Sequence, residues 1–172
     1  MSRIILTSDI LDELNISIPK YSDKNNYNSY YFSPNMGIKL YSAKVSWMDA
    51  NSISFVFEKV SHLNLLILLR NINERLIKVY KHCKEMRGLR ELPQVPCLFY
   101  ENDDRFYIKC NLPKLNGKYH IKCTSELQQL PFKKPSLETV YNCAILDIRN
   151  IWESQLSTHV GFKLELKEIN YD

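Results

Sequence analysis

Hydrophobic and polar residues alternate strictly in two short segments of the chain, Arg105–Cys110 and Lys118–Cys123. In each segment the apolar side chains fall on one face, and the other face carries two cations and one ring. Alternation with a period of two predicts half-buried β-strands. The predicted buried faces consist of Phe106, Ile108 and Cys110 in the first segment and of Tyr119, Ile121 and Cys123 in the second.

Turn residues stand before both segments. Asp103-Asp104 precedes the first, and Asn116-Gly117, a favoured hairpin dipeptide, precedes the second. With a further predicted strand at Cys97–Tyr100, these signals predict a three-stranded antiparallel meander over residues 97–123. The polar sides of the two alternating strands would then lie on one sheet face.

One long helix is predicted at Ser61–Arg87, where apolar residues recur at a spacing of three and four. Ser61 can cap its start, and Gly88 can end it. The polar side of this helix carries five cations between Arg70 and Lys84. The apolar stripe, which should pack against a core, consists of Leu65, Leu69, Ile72, Leu76, Tyr80 and Cys83.

The rest of the chain predicts more strands, a short helix and a loop. Tyr21–Tyr31 is polar and shows neither period, so residues 21–34 are predicted to form a mobile loop. Ser8–Asn15 is predicted to be a short helix with Ser8 as its cap. The remaining predicted strands are Arg3–Leu6, Ile38–Trp47, Ser52–Lys59, Val140–Ile151 and Gly161–Ile169.

These elements predict an α+β fold of mainly antiparallel β-structure. Short connections between successive strands favour antiparallel pairing over parallel βαβ units. Several strands with one long inserted helix at residues 61–87 indicate a small barrel or curved sheet like the oligonucleotide-binding (OB) fold. A length of 172 residues is consistent with a single domain over residues 1–172.

Charge is distributed unevenly around a net value of +4. Residues 61–90 hold seven Lys and Arg against two Glu, and residues 136–172 hold three against six acids. One end of the fold is therefore predicted to face anions.

The five cysteines include no CxxC pair, which is typical of free thiols in a reducing, cytoplasmic compartment. No apolar run approaches the roughly 20 residues that cross a bilayer, so we expect no membrane partner.

No motif in the sequence supports catalysis. A glycine-rich phosphate loop and a G-x-S-x-G elbow are both absent. His120 and Cys123 fall on opposite faces of their predicted strand, which argues against a shared zinc ion. We therefore expect a non-enzymatic protein without metal or cofactor. A small nuclease is the least favoured alternative, because no acidic residues fall at metal-ligand spacing.

The polar faces of the two alternating segments suit single-stranded nucleic acid, because cations bind phosphates and flat rings stack on unpaired bases. A solvated surface that only maintains solubility is the competing interpretation, and both tryptophans would also serve as core anchors. The candidate residues are Arg105, Lys109, Lys118 and Lys122 for phosphates, Tyr107 and His120 for bases or sugars, Trp47 or Trp152 for stacking, and Lys39, Tyr41 and Lys44 to extend the groove.

The end of the chain carries a resemblance to a known family. Residues 144–152 (Ala-Ile-Leu-Asp-Ile-Arg-Asn-Ile-Trp) and 161–169 (Gly-Phe-Lys-Leu-Glu-Leu-Lys-Glu-Ile) resemble the terminal hairpin of single-stranded-DNA-binding proteins of large cytoplasmic DNA viruses. The resemblance is best over residues 140–169 and extends to 36–123 only as an order of elements. It implies an OB barrel with added helices that coats replicating or repaired DNA. A viral protein of this kind would act in the host cytoplasm or nucleus.

We therefore expect a protein that binds single-stranded nucleic acid, with DNA favoured, without sequence preference. Replication proteins or further copies of the chain are additional candidate partners. The alternative is a structural or scaffolding protein whose basic helix face docks an acidic protein partner. Salt separates the two, since phosphate binding weakens steeply as salt rises and an interface with an apolar centre responds less.

Overall fold

Twelve strands and two helices make up the described part of the chain, which in this computed structural model covers residues 3–24, 26–90, 92, 94–125, 128–155 and 159–172. The helices are α1 (Ser8–Glu13) and α2 (Leu63–Met86). The strands are β1 (Ile4–Leu6), β2 (Lys20–Ser22), β3 (Tyr27–Met48), β4 (Ser52–Glu58), β5 (Tyr100–Glu101), β6 (Arg105–Asn111), β7 (Lys114–Leu115), β8 (Lys118–Tyr119), β9 (Lys122–Ser125), β10 (Gln128–Leu130), β11 (Val140–Ser154) and β12 (Val160–Asn170).

Five strands close into a barrel. The strands β3, β4, β6, β12 and β11 pair in that order, and β11 pairs again with β3. Numbered by their place in the chain, the barrel strands follow the order 1-2-3-5-4-1, and only the contact between β6 and β12 is parallel. Helix α2 is inserted between the second and third barrel strands. The predicted α+β fold with an OB-like barrel and one long inserted helix is confirmed.

The strand β3 extends far beyond its prediction and wraps around the barrel. It has 22 residues and pairs with β11 over most of its length and with β4 at its end. A bulge between Val45 and Trp47 shifts its register against β4, and bulges of this kind bend a strand. This curvature lets one strand contact both of its barrel neighbours.

The prediction of a mobile loop at residues 21–34 is wrong for the residues that the structure describes there, which leave out Asn25. The strand β2 pairs with residues 29–31 of β3, so most of this segment is an antiparallel hairpin. Tyr30 is completely buried and Phe32 nearly so, which is the period-two burial of a strand. The many Asn, Ser and Tyr residues hid this alternation, because tyrosines occur on both faces.

Helix α2 lies close to its predicted bounds. Gly88 follows it with a φ of 63°, the left-handed conformation that glycine adopts readily at a helix end. Ser61 does not cap the start, because the capping position is His62, whose side chain makes no capping hydrogen bond. Leu65 is only partly buried. The buried apolar stripe is Leu66, Leu69, Ile72, Leu76, Tyr80 and Cys83.

The predicted meander over residues 97–123 is wrong. Of the two predicted buried faces, Phe106, Ile108, Cys110, Ile121 and Cys123 are buried, whereas Tyr119 is only partly buried. The strand β6 pairs with β4 and β5, and of Cys97–Tyr100 only Tyr100 lies in a strand. Asn116 and Gly117 both have positive φ and form a tight turn that pairs β8 with β7 in a separate hairpin. Lys118–Cys123 is therefore interrupted, and its second half joins β12 and β10 as part of β9.

Both helices are fastened to neighbouring elements by polar side chains. Arg75 of α2 donates hydrogen bonds to the backbone carbonyls of Leu11 and Leu14, at the end of α1. Lys84, near the other end of α2, forms an ion pair with Glu153 of β11. Neither helix in the described ranges combines the length and apolar character needed to cross a membrane.

Candidate nucleic-acid interface

An exposed tryptophan and a lysine meet on the outer side of the second and third barrel strands. In the strand register Trp47 pairs with Ser54, and Ser54 pairs with Lys109, so the three residues form one row across β3, β4 and β6. Because Ser54 is small and nearly buried, the two larger side chains close over it. The Lys109 Nζ atom lies 4.8 Å from the centre of the Trp47 ring, and Trp47 is 44% exposed.

A second row of side chains lies beside the first on the same face. Lys44 pairs with Val56, Val56 with Tyr107, and Tyr107 with Tyr100. The rings of Tyr100 and Tyr107 are stacked, with centroids 6.1 Å apart and an angle of 21° between their planes. We call this surface the outer face, defined by Lys44, Trp47, Ser54, Val56, Tyr100, Tyr107 and Lys109.

Cations at the border of the outer face have carboxylate partners, whereas the central cation has none among the residues that the structure describes. Arg105 pairs with Glu58 at 2.8 Å, and Lys44 pairs with Glu138. In the ranges that the structure covers, Lys109 has no carboxylate within ion-pair distance. Its ammonium group is held by the Trp47 ring and remains available to a phosphate.

The turn between β3 and β4 fixes the end of the outer face. The carboxylate of Asp49 accepts hydrogen bonds from the backbone N–H groups of Asn51 and Ser52, both at 2.7 Å. These two bonds favour the charged carboxylate and lower the pKa of Asp49 below its usual value. The turn therefore has a fixed shape and holds Trp47, two residues before Asp49, opposite Ser54 of β4.

Three predicted site residues, Lys118, His120 and Lys122, lie on a different surface. They line an open cleft of about 870 Å³ between the β7–β8 hairpin, residues 129–132 and the outer sides of β11 and β12. The expectation that they share one sheet face with Arg105, Tyr107 and Lys109 is wrong, because β8 and β9 do not pair with β6.

The cleft carries more positive than negative charge. Its lining includes Arg3, Lys118, Lys122, Arg149 and Lys167 against two carboxylates, Asp147 and Glu168. Lys122 pairs with Glu168 at 3.1 Å, and Arg3 pairs with Asp147 at 2.5 Å.

One carboxylate at the border of the cleft serves several cations. Glu165 lies 2.9 Å from Lys167, 3.5 Å from Arg149 and 3.4 Å from Lys163. Burial by itself would raise the pKa of Glu165, but the hydrogen bond and charge of Lys167 outweigh it and hold that pKa below the usual value. Because three cations share one carboxylate, this wall of the cleft keeps an excess of positive charge.

The remaining predicted site residues lie elsewhere. Lys39 and Tyr41 line a groove of about 300 Å³ with the residues at the start of α2, and the Lys39 Nζ atom is 4.9 Å from the centre of the Tyr41 ring. Trp152 pairs with Ser29 near the start of β3, whereas Trp47 lies near the end of that strand.

Trp152 has the surroundings of a packing residue. Its ring meets Tyr27 edge-on at 5.8 Å, and an added Cβ on Gly161 would lie 3.0 Å from it. The close fit against Gly161 leaves that side of the ring covered. A stacking role is therefore better placed on Trp47.

The sequence did not point to several residues of these surfaces. Tyr100 stacks on Tyr107 and is 55% exposed. Lys114 lies over the ring of Tyr119 at 5.0 Å. A hairpin centred on the Asp103-Asp104 turn would have placed Tyr100 opposite Tyr107.

Most cations of the predicted basic helix face already have partners. Arg70 donates two hydrogen bonds of 3.0 Å to Glu101, Arg75 binds two carbonyls, and Lys84 is buried. Lys78 and Lys81 are exposed. Among the described residues, no group of three or more His, Cys, Asp and Glu side chains is arranged to hold a metal ion.

Neither protein-family models nor curated proteins match this chain. Among solved structures, a single-stranded DNA-binding protein from bacteriophage Enc34, in complex with single-stranded DNA, is similar to it with a TM-score of 0.47 and 14% sequence identity. The alignment covers 90% of this chain and 94% of that chain.

Proposed function

We propose that this chain is a non-enzymatic protein that binds single-stranded nucleic acid without sequence preference, with DNA as the favoured form, and that it acts in replication or repair. The observation that carries the proposal is the pair formed by Trp47 and Lys109 on the outer face, 4.8 Å apart. A ring that is 44% exposed, beside a cation that has no carboxylate within ion-pair distance among the described residues, offers a base and its phosphate adjacent contacts.

The position of this pair in the barrel supports the proposal. The strands β4 and β6 are the second and third strands of the barrel, and the outer side of these two strands is where OB barrels bind oligonucleotides. A base stacked on an aromatic side chain contributes about 1–3 kcal/mol. Tyr100 and Tyr107 add a second pair of rings on the same face.

The chemistry of the outer face also supports binding without sequence preference. Rings and lysines dominate its exposed part, and Ser54 is nearly buried between its neighbours. Every base presents a flat π-surface and every nucleotide a phosphate, so such a face does not distinguish one base from another.

The scaffolding alternative receives less support from the helix it depends on. Three of the five cations on the polar side of α2 are engaged within the protein, by Glu101, by the end of α1 and by Glu153. The two exposed lysines, Lys78 and Lys81, form a small basic surface. They serve better as matched controls for nonspecific charge than as a docking site.

A reducing compartment is part of the proposal: the cytoplasm, or the host cytoplasm or nucleus if the protein is viral. All five cysteines are free thiols, and four of them are buried. Burial raises the pKa of Cys123 to about 11, which keeps this thiol protonated and unreactive near neutral pH.

A fluorescence-polarisation titration tests the proposed function. Labelled single-stranded and double-stranded oligonucleotides of DNA and RNA are titrated with the protein at several salt concentrations. We expect tight binding of single strands at low salt, weaker binding of duplexes, and affinity that falls steeply as salt rises, because bound cations release counterions. If no oligonucleotide binds at low salt, the proposal is wrong, and binding of an acidic protein partner becomes the next hypothesis.

A further inference from the structure

The β7–β8 hairpin connects the outer face to the cleft. On one side it contacts the turn between β3 and β4, where the Lys114 Nζ atom donates a hydrogen bond of 3.3 Å to the side-chain oxygen of Asn51. The Tyr119 hydroxyl donates a bond of 3.1 Å to the carbonyl of Ala50. The hairpin therefore contacts the turn that follows Trp47, and it lies next to the row formed by Trp47, Ser54 and Lys109.

On its other side the same hairpin forms one wall of the cleft. Lys118, Tyr119 and His120 line the cleft, and the ring of Tyr119 packs against Phe132 with centroids 5.0 Å apart. The Lys114 Nζ atom lies 5.0 Å from the centre of the same Tyr119 ring. A cation beside a ring thus recurs here, as it does at Trp47 and Lys109.

We propose that a single strand bound on the outer face continues across the β7–β8 hairpin into the cleft, where Lys118, Lys122 and Arg149 bind a second set of phosphates. This inference rests on the proposed function and specifies the path of the strand. It predicts that the binding site is longer than the face of β4 and β6 alone.

The charge of the cleft fits an anionic chain. Five Lys and Arg side chains line it against two carboxylates, and Glu165 at its border pairs with Arg149 and Lys167, so positive charges outnumber negative ones by two. A concave surface lined mainly by one sign of charge concentrates its field and attracts ligands of the opposite sign. The open shape of the cleft suits a strand that enters at one end and leaves at the other.

The length of the site gives a direct test. Binding sites of OB folds range from about 4 to about 16 nucleotides. A strand of about 5 nucleotides fills the outer face only, whereas one of about 16 also reaches the cleft. Both lengths of oligo-dT are titrated against the parent protein, the double variant K118A/R149A, and the matched control K78A/K81A on helix α2.

We expect the cleft variant to bind the short oligonucleotide like the parent and to bind the long one more weakly. Its salt slope for the long strand should fall by about 1.4, the single-strand value of about 0.7 for each of two lost phosphate contacts. The control should match the parent for both lengths. Because the substituted side chains are exposed at the surface, thermal melting of all three proteins checks that the fold is retained.

The results distinguish the path from the function on which it rests. If the parent binds the long strand no more tightly than the short one, or if K118A/R149A binds both like the parent, the path through the cleft is wrong while the proposed function stands. If the parent binds neither strand, the proposed function itself is wrong. Poly-glutamate serves as a model of an acidic protein partner. If K118A/R149A loses binding to poly-glutamate but binds oligo-dT like the parent, the cleft belongs to an acidic protein and the inference is wrong.

Discussion

Lys84 and Glu153 form an ion pair in the interior of the protein, where the side chains are only 2% and 5% exposed. Lys84 lies in the last turns of α2, and Glu153 lies near the end of β11. The hydroxyls of Tyr80 and Tyr30 also donate hydrogen bonds to the Glu153 carboxylate. This network joins the inserted helix to two barrel strands, so its charges are compensated and its geometry is fixed.

Removing one member of this pair should destabilise the fold. In Lys84→Met the Glu153 carboxylate remains buried without its cation, and breaking a buried pair in this way costs about 3–5 kcal/mol. Urea denaturation measures the change in the free energy of unfolding. The control is Lys81→Met, an exposed position on the same helix, where we expect a change within about 0.5 kcal/mol. Equal stability of the two variants would show that the pair does not hold the helix to the barrel.

The cysteines give a second prediction. Cys97 is exposed, whereas Cys83, Cys110, Cys123 and Cys143 are buried, and burial raises the pKa of each of these four thiols. Since the thiolate is the reactive form, a thiol reagent at neutral pH should modify Cys97 quickly and the other four only after unfolding. Mass spectrometry counts the modified thiols. Rapid modification of Cys97→Ser at several further sites would contradict the buried positions.

Local pattern predicted those parts of the fold in which a segment specifies its own structure. Phe106 and Ile108 alternate with polar neighbours, and the buried stripe of α2 recurs at helical spacing, so both elements could be recognised from sequence. The strands β11 and β12 were also predicted from local pattern, and their pairing as a hairpin was implied by the resemblance of residues 144–152 and 161–169 to a family's terminal hairpin.

The site could be predicted only in part, because it depends on which strands become neighbours. Lys109 and Trp47 were each candidates, yet their contact requires the register of three strands and the bulge after Val45. Lys118 carries the same alternation as Lys109, but the turn at Asn116 and Gly117 commits it to a local hairpin. Pairing between distant segments is settled by packing of the whole barrel, which no single segment encodes.

Charge and stacking contributions to binding can be separated on the outer face. Lys109→Ala should weaken binding of any single strand and lower the salt slope by about 0.7, since one phosphate contact is lost. Tyr107→Ala should weaken binding with the slope unchanged, because stacking releases no counterions. Polarisation titrations over a series of salt concentrations give both quantities. A basic surface without a defined site would show the same small change for Lys109→Ala and for Lys81→Ala.

The same measurements on Lys122→Ala probe the cleft. Lys122 pairs with Glu168 at 3.1 Å, so its substitution also frees a carboxylate that repels phosphate. For a long strand we expect the salt slope to fall by an amount similar to that for Lys109→Ala, and the affinity to fall somewhat more. On a short strand confined to the outer face, Lys122→Ala should behave like the parent.

The two tryptophans should respond in opposite ways to substitution. Trp47 is half exposed on the outer face, so Trp47→Ala should cost about 1–3 kcal/mol of binding free energy while the melting temperature stays close to that of the parent. Trp152 packs against Gly161 and Tyr27, so Trp152→Ala should lower the free energy of unfolding and leave the affinity of the folded protein unchanged. Polarisation and urea denaturation on both variants measure the two effects. If Trp152→Ala loses affinity at unchanged stability, the strand follows β11 and not the outer face of β4 and β6.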